Sequence, residues 1–131
     1  MESRPVFRNL SPLDHRYYDA NEEAFTALAD CLSEEAAVRY CTRVEAALLR
    51  RHLDQRGLLD ADASSALDRL EELVTPDAVA EEERTTHHNI RALVRVIKRN
   101  LPSEAAALLH VGATSIAVLD TSNAQPLPDA T

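Results

Sequence analysis

Apolar residues return along this chain every three or four positions, the period of a helix with one buried face. The clearest case is Ile90, Leu93, Val94, Ile97 and Leu101, which make a single stripe. Arg91, Arg95, Lys98 and Arg99 fall outside it and read as a solvated face, or one that meets a neighbour's acidic surface. Upstream, Phe25, Leu28, Ala29 and Leu32 predict a first helix beginning near Asn21. A longer helix follows Ser33, with Glu34 and Glu35 in the first turn, where the helix dipole favours acidic groups. Its apolar set is Ala37, Tyr40, Cys41, Val44, Ala47 and Leu48, and Gly57 fits the position just past its end. Leu67, Leu70 and Leu73 predict a third helix over 62–73.

Punctuation residues complete the pattern. Thr75-Pro76 restarts the chain, because proline suits the first turn of a helix. The acidic run Glu81, Glu82, Glu83 reads as a solvated face. Pro102 breaks the following helix, and Ser103 to Leu109 form a short one. Pro126 and Pro128 stop a last helix, begun at Thr114, near Ala124. No segment alternates as a strand does, so the expected class is all-α. Residues 1–18 hold two prolines and no sustained period, which predicts an extended N-terminal arm ahead of a helical domain over 19–131.

Composition agrees, with two Gly, no Trp, three Tyr and two Phe against abundant Ala, Leu, Glu and Arg. At 131 residues the chain is one domain's worth. A net charge of −8 argues against nucleic acid or an anionic membrane as partner. No apolar run approaches the roughly 18 residues of a membrane span. The opening MESRPVFRN lacks the apolar core of a signal peptide, so the cytoplasm is expected. Cys31 and Cys41 have no metal-ligand spacing and read as small buried thiols of a reducing compartment. No metal site is expected.

The segment from His110 to Asn123, HVGATSIAVLDTSN, carries the strongest local chemistry. Gly112 can turn the chain sharply, and Thr114 and Ser115 stand where a helix start needs side-chain oxygens. Free N–H groups and the positive end of the dipole make such a start an anion site. A histidine beside it suits holding a carboxylate and moving a proton. A loop followed by an ordinary N-cap has the same signature.

Two further segments, SPLDHRY over 11–17 and THHNIRA over 86–92, precede that one. In order and spacing the three resemble the motifs of adenylosuccinate lyases of the fumarase/aspartase superfamily: Ser-Pro-Leu-Asp-Gly-Arg-Tyr, Thr-x-His-Asp-Val and His-x-Gly-x-Thr-Ser-x-Asp-x-x-Asp-Thr. The resemblance implies the small helical N-terminal domain of such an enzyme. It implies β-elimination of fumarate from adenylosuccinate, giving AMP, and from a succinylated aminoimidazole carboxamide ribotide in purine biosynthesis. No cofactor is implied. By this resemblance His88 and His110 are catalytic residues, Thr114 and Ser115 bind a substrate carboxylate, and Arg16 and Tyr17 contact the nucleotide phosphate and ribose. Asn89 joins the substrate-binding set, while Asp14 fixes the turn after Pro12. His87, next to His88, would point about 100° away on a helix.

Three positions depart from the family pattern: His15 replaces a glycine, Asn89 an acidic residue and Ala117 an aspartate. The family's central helical domain, which builds a homotetramer, carries a general-acid histidine and a Gly-Ser-Ser loop with the base. Neither occurs in these 131 residues, which implies a truncated or split form, inactive alone. Two alternatives stay open. One is a non-catalytic helical module for binding or assembly. The other is a lyase for a different succinyl substrate, such as argininosuccinate.

Overall fold

A computed structural model describes residues 5–10, 18 and 20–126. Within them the regular structure is helical, as expected, and no strand is present. Eight α-helices follow a 3₁₀ turn at Val6–Arg8: α1 Glu22–Leu32, α2 Glu34–Gln55, α3 Ala61–Asp68, α4 Leu70–Leu73, α5 Pro76–Thr86, α6 Asn89–Arg99, α7 Ser103–Leu108 and α8 Ser115–Ala124.

Helix α2 organises the rest. Ser33 caps it by accepting from the Ala36 N–H at 3.2 Å, and Glu34 and Glu35 occupy its first turn. Gly57 takes a positive φ of 66° just past its end, a conformation that costs glycine little. Its buried residues are Ala36, Val38, Tyr40, Cys41, Thr42, Glu45, Leu49 and Leu53, whereas Ala37 and Ala47 are exposed. Tyr40 and Cys41 of the expected apolar set are buried, while the stripe on either side of them is offset by one position, about 100° of rotation. The offset has a physical cause. Polar Thr42 and charged Glu45 lie in the middle of the buried stripe, so the most apolar period does not follow the buried face.

The 3₁₀ turn and every other helix make contact with α2. Leu49 and Leu53 join Leu67 and Leu70 of α3 and α4, Ile90, Leu93 and Ile97 of α6, and Val118 of α8 in one core. Full burial of each such leucine or isoleucine contributes about 1.5–3 kcal/mol. Arg8 ties the 3₁₀ turn to this frame through Asp30 at 2.6 Å and Glu35 at 3.2 Å. Cys41 is buried and donates to Ser122 of α8 at 3.3 Å, and its burial pushes the thiol pKa up. Cys31 is half-buried and both cysteines are free.

Several expected boundaries hold. Thr75 caps α5 by accepting from the Ala78 N–H, with Pro76 in the first turn. Helix α8 ends at Ala124. The helix expected over 62–73 is divided at Arg69 into α3, capped by Asp60, and the single turn α4.

One position of the acidic run departs from the expected solvated face, while Glu81 is exposed. Glu82 is buried between α5 and α6, where it pairs with Arg95 at 3.0 Å and with Arg99. Two positions of the basic face thus meet an acidic partner inside the chain. Hydrogen bonds from Arg95 and then Arg99 hold the Glu82 carboxyl below the ordinary carboxylate range. A lowered folded pKa means stability that is present at neutral pH and lost as pH falls through that value. Glu82→Gln is expected to lower Tm at pH 7, with the gap to wild type narrower at pH ~3, which lies below the unfolded-state glutamate value of ~4.3. Thermal unfolding followed by circular dichroism at the two pH values measures this, and an unchanged gap would contradict it.

Candidate functional site

The α5–α6 junction sets the first half of the site. His87 ends α5 in the left-handed region, φ 52° and ψ 31°, and its N–H donates to Glu83 O at 2.8 Å. His88 follows in extended backbone as the N-cap of α6. The two histidines therefore lie in a link between helices, and the angular separation expected for neighbours on one helix does not apply. The chain has to reverse here so that α5 can pack on α6.

His88 performs the capping with its ring. Its Nδ1 accepts from the Arg91 N–H at 3.3 Å. An accepting Nδ1 carries no proton, so in the neutral ring the proton sits on Nε2. That Nε2 lies 3.5 Å from Ser115 Oγ. The structure thus brings together residues from two motifs separated by 27 positions in sequence.

The second half is the turn into α8. His110 has a positive φ of 64° and Gly112 one of 76°. Helix α2 holds this turn at two points: Glu45 Oε1 is 2.6 Å from His110 Nδ1, and the His52 ring donates from Nε2 to Val111 O at 2.9 Å. Glu45 and His52 are seven positions apart, so they share one face of α2. Glu45 is fully buried and its second oxygen, Oε2, has no partner. Sequence reading missed Glu45. Its signal was a carboxylate at helical spacing between Cys41 and Leu49, inside what proved to be the buried stripe.

Thr114 caps α8 by accepting from the Ala117 N–H at 3.2 Å. Its hydroxyl oxygen thus serves the helix, and the first N–H groups of α8 are left without intrahelical partners. Ala117, at the position of the family aspartate, is exposed. Asn89 opens α6, and its Oδ1 accepts from the Ile90 N–H at 2.7 Å, which turns it toward its own backbone. Arg16 and Tyr17, with Asp14 and His15, lie outside the described residues. No group of three or more potential metal-binding side chains occurs among the described residues. A surface hollow along α1, lined by Glu22, Glu23, Thr26, Ala27 and Asp30, lies away from this chemistry, and its carboxylates suit no anionic ligand.

The arrangement defines an all-helical domain with histidine, hydroxyl and helix-start N–H groups gathered between α6 and α8. Comparison with known proteins extends this. The chain is 32% identical over 118 residues to the adenylosuccinate lyase of Archaeoglobus fulgidus, covering 90% of this chain and 24% of that protein. It is 39% identical over 88 residues to the enzyme of that name from Methanothermobacter thermautotrophicus, covering 66% and 19%. Against the Pyrococcus abyssi adenylosuccinate lyase it is 32% identical over 114 residues, covering 86% and 24%. The resemblance to adenylosuccinate lyases, carried first by three motifs, thus holds over most of this chain. The chain spans about a quarter of the length of these relatives. No protein-family model and no solved structure matches it.

The capping geometry makes a stability test. Thr114→Ala removes the cap and is expected to cost about 1 kcal/mol. Ser115→Ala removes only a long contact to His88 and is expected to cost less than about 0.5 kcal/mol. Urea unfolding of the two variants checks the ranking, and equal losses would show that Thr114 is not the working cap.

Proposed function

We propose that this chain is the substrate-holding part of an adenylosuccinate lyase-type C–N lyase. The observation that supports this best is the approach of His88 Nε2 to Ser115 Oγ, which joins two family motifs at the start of α8. The archaeal relatives supply the reaction class.

Fumarate leaves adenylosuccinate by β-elimination: a base removes a carbon-bound proton, the C–N bond breaks, and the departing nitrogen is protonated. Negative charge grows on a substrate carboxylate as the proton is lost. Helix-start N–H groups and the Ser115 hydroxyl are suited to hold that carboxylate, because they donate to it and the dipole favours its charge. His88, with its proton on Nε2, donates beside them. His110 is assigned to proton transfer, because an imidazole nitrogen can accept or donate a proton. Arg16 and Tyr17 are assigned to the nucleotide phosphate and ribose, where a planar guanidinium can hold two oxygens at once. The reaction requires no cofactor. In this reading the whole enzyme is a cytoplasmic homotetramer of purine biosynthesis, and other segments supply the general acid and the base.

An assembly role is favoured by one observation: Leu28 and Leu32 of α1 remain exposed. In that second reading the chain binds a partner and no ligand.

Calorimetric titration with fumarate and with AMP separates the readings. Saturable binding of fumarate is expected, weakened about tenfold or more in Ser115→Ala by loss of a hydrogen bond to a charged group. Argininosuccinate added in place of AMP tests the other succinyl branch. Absence of any ligand binding, with self-association intact, would replace the lyase reading with the assembly one. Fumarate release by the isolated 131-residue chain is expected to be nil, and robust turnover would overturn its assignment as a part inactive alone.

A further inference from the structure

We propose that Glu45 is a positioning residue that sets the tautomer of His110, so that His110 and His88 offer opposite groups, one an acceptor and one a donor. The role of His110 rests on the lyase reading above, whereas its tautomer rests on the contact with Glu45 and on an ionised carboxylate there.

The carboxylate of Glu45 lies 2.6 Å from His110 Nδ1, and its side chain is 0% exposed against 27% for that of His110. An ionised carboxylate can only accept, so Nδ1 carries the proton and Nε2 keeps its lone pair. No hydrogen bond engages Nε2 among the described residues. His88 is arranged the other way round. The Arg91 N–H occupies its Nδ1 and places the proton on Nε2, toward Ser115. One ring is thereby prepared to take a hydrogen bond or a proton, and the other to give one.

Packing alone does not account for Glu45. A buried carboxylate with one oxygen unpartnered is disfavoured, and an apolar side chain of similar size would fill the same space without that penalty. The carboxylate also acts at a strained point, since His110 holds a positive φ that non-glycine residues resist. Two contacts from α2 stabilise that conformation: Glu45 on the ring and His52 on the next carbonyl. Of the charged groups near this end of α2, Arg56 donates to the His52 carbonyl oxygen and lies against the His52 ring, Arg51 pairs with Asp54, and Arg50 pairs with Asp68. The carboxylate in hydrogen-bond contact with the His110 ring is that of Glu45.

Long-range proton–nitrogen NMR spectra of the ¹⁵N-labelled 131-residue chain, recorded at alkaline pH where imidazoles are neutral, test this directly. The expected wild-type pattern is Nδ1 protonated in His110 and Nε2 protonated in His88. In Glu45→Gln the amide can donate or accept, so His110 is expected to lose its single tautomer while His88 keeps its own. Ser115→Ala is expected to leave the His110 pattern unchanged. If Glu45→Gln fails to fold, the wild-type spectrum still decides: a His110 ring protonated on Nε2, or a mixture of tautomers, overturns the proposal. A His110 tautomer that persists in folded Glu45→Gln overturns it too. Fumarate and AMP titrations with no binding, beside the expected tautomers, would retire the lyase reading and leave the Glu45 assignment standing.

Discussion

The burial of one face of α2 is the constraint on which the rest of this structure depends. At 22 residues this helix is about 33 Å long, and each of the other helices leans on it. Its rotation decides which side chains reach the core and which reach the turn before α8. Because Glu45 and His52 stand two turns apart on one face, the core that fixes α2 also fixes His110 and Val111. A rotation by one residue would remove both contacts together.

The site itself is assembled from helix ends. His88 starts α6, Thr114 and Ser115 start α8, and the turn carrying His110 lies just before that start. Such places hold unpaired N–H groups, which a helix interior does not offer. They also demand unusual backbone, and His87 and His110 both adopt positive φ. Left-handed backbone at a non-glycine residue costs on the order of 1–3 kcal/mol, so a rigid frame has to over-determine it. The clamp of Glu82 with Arg95 and Arg99 contributes to that frame, because it holds α5 on α6 and so sets the His87-His88 link.

Elimination chemistry asks for a held anion, a proton donor and a proton acceptor in one place. In the lyase reading proposed above, acceptor and donor would be distinguished by what each histidine does with its inner nitrogen, one giving a hydrogen bond to a buried carboxylate and one taking it from a backbone amide. The same side chain is thus prepared for two tasks by its neighbours alone. The chain resembles archaeal adenylosuccinate lyases over about a quarter of their length.

Periodicity, proline and glycine positions carried the all-helical class, the stripe from Ile90 to Ile97, the start at Thr75-Pro76, the end of α2 at Gly57 and the end of α8 at Ala124. These are legible because they depend on residues within a turn or two of each other. The motif order likewise carries the lyase resemblance in the sequence alone. The face of α2, the burial of Glu82, the break at Arg69 and the non-helical His87-His88 link were not legible in that way. Each depends on what packs alongside, as Glu82 does on Arg95 and Arg99, 13 and 17 positions away. Glu45 is the sharpest case, since its partner His110 is 65 positions distant. The sequence by itself determined which segments are helices and which residues match the lyase motifs. Only the tertiary structure decided which helix face is buried and which nitrogen of each histidine faces outward. The reason is that a local repeat reports a helix and its composition, while burial and tautomer belong to contacts between helices.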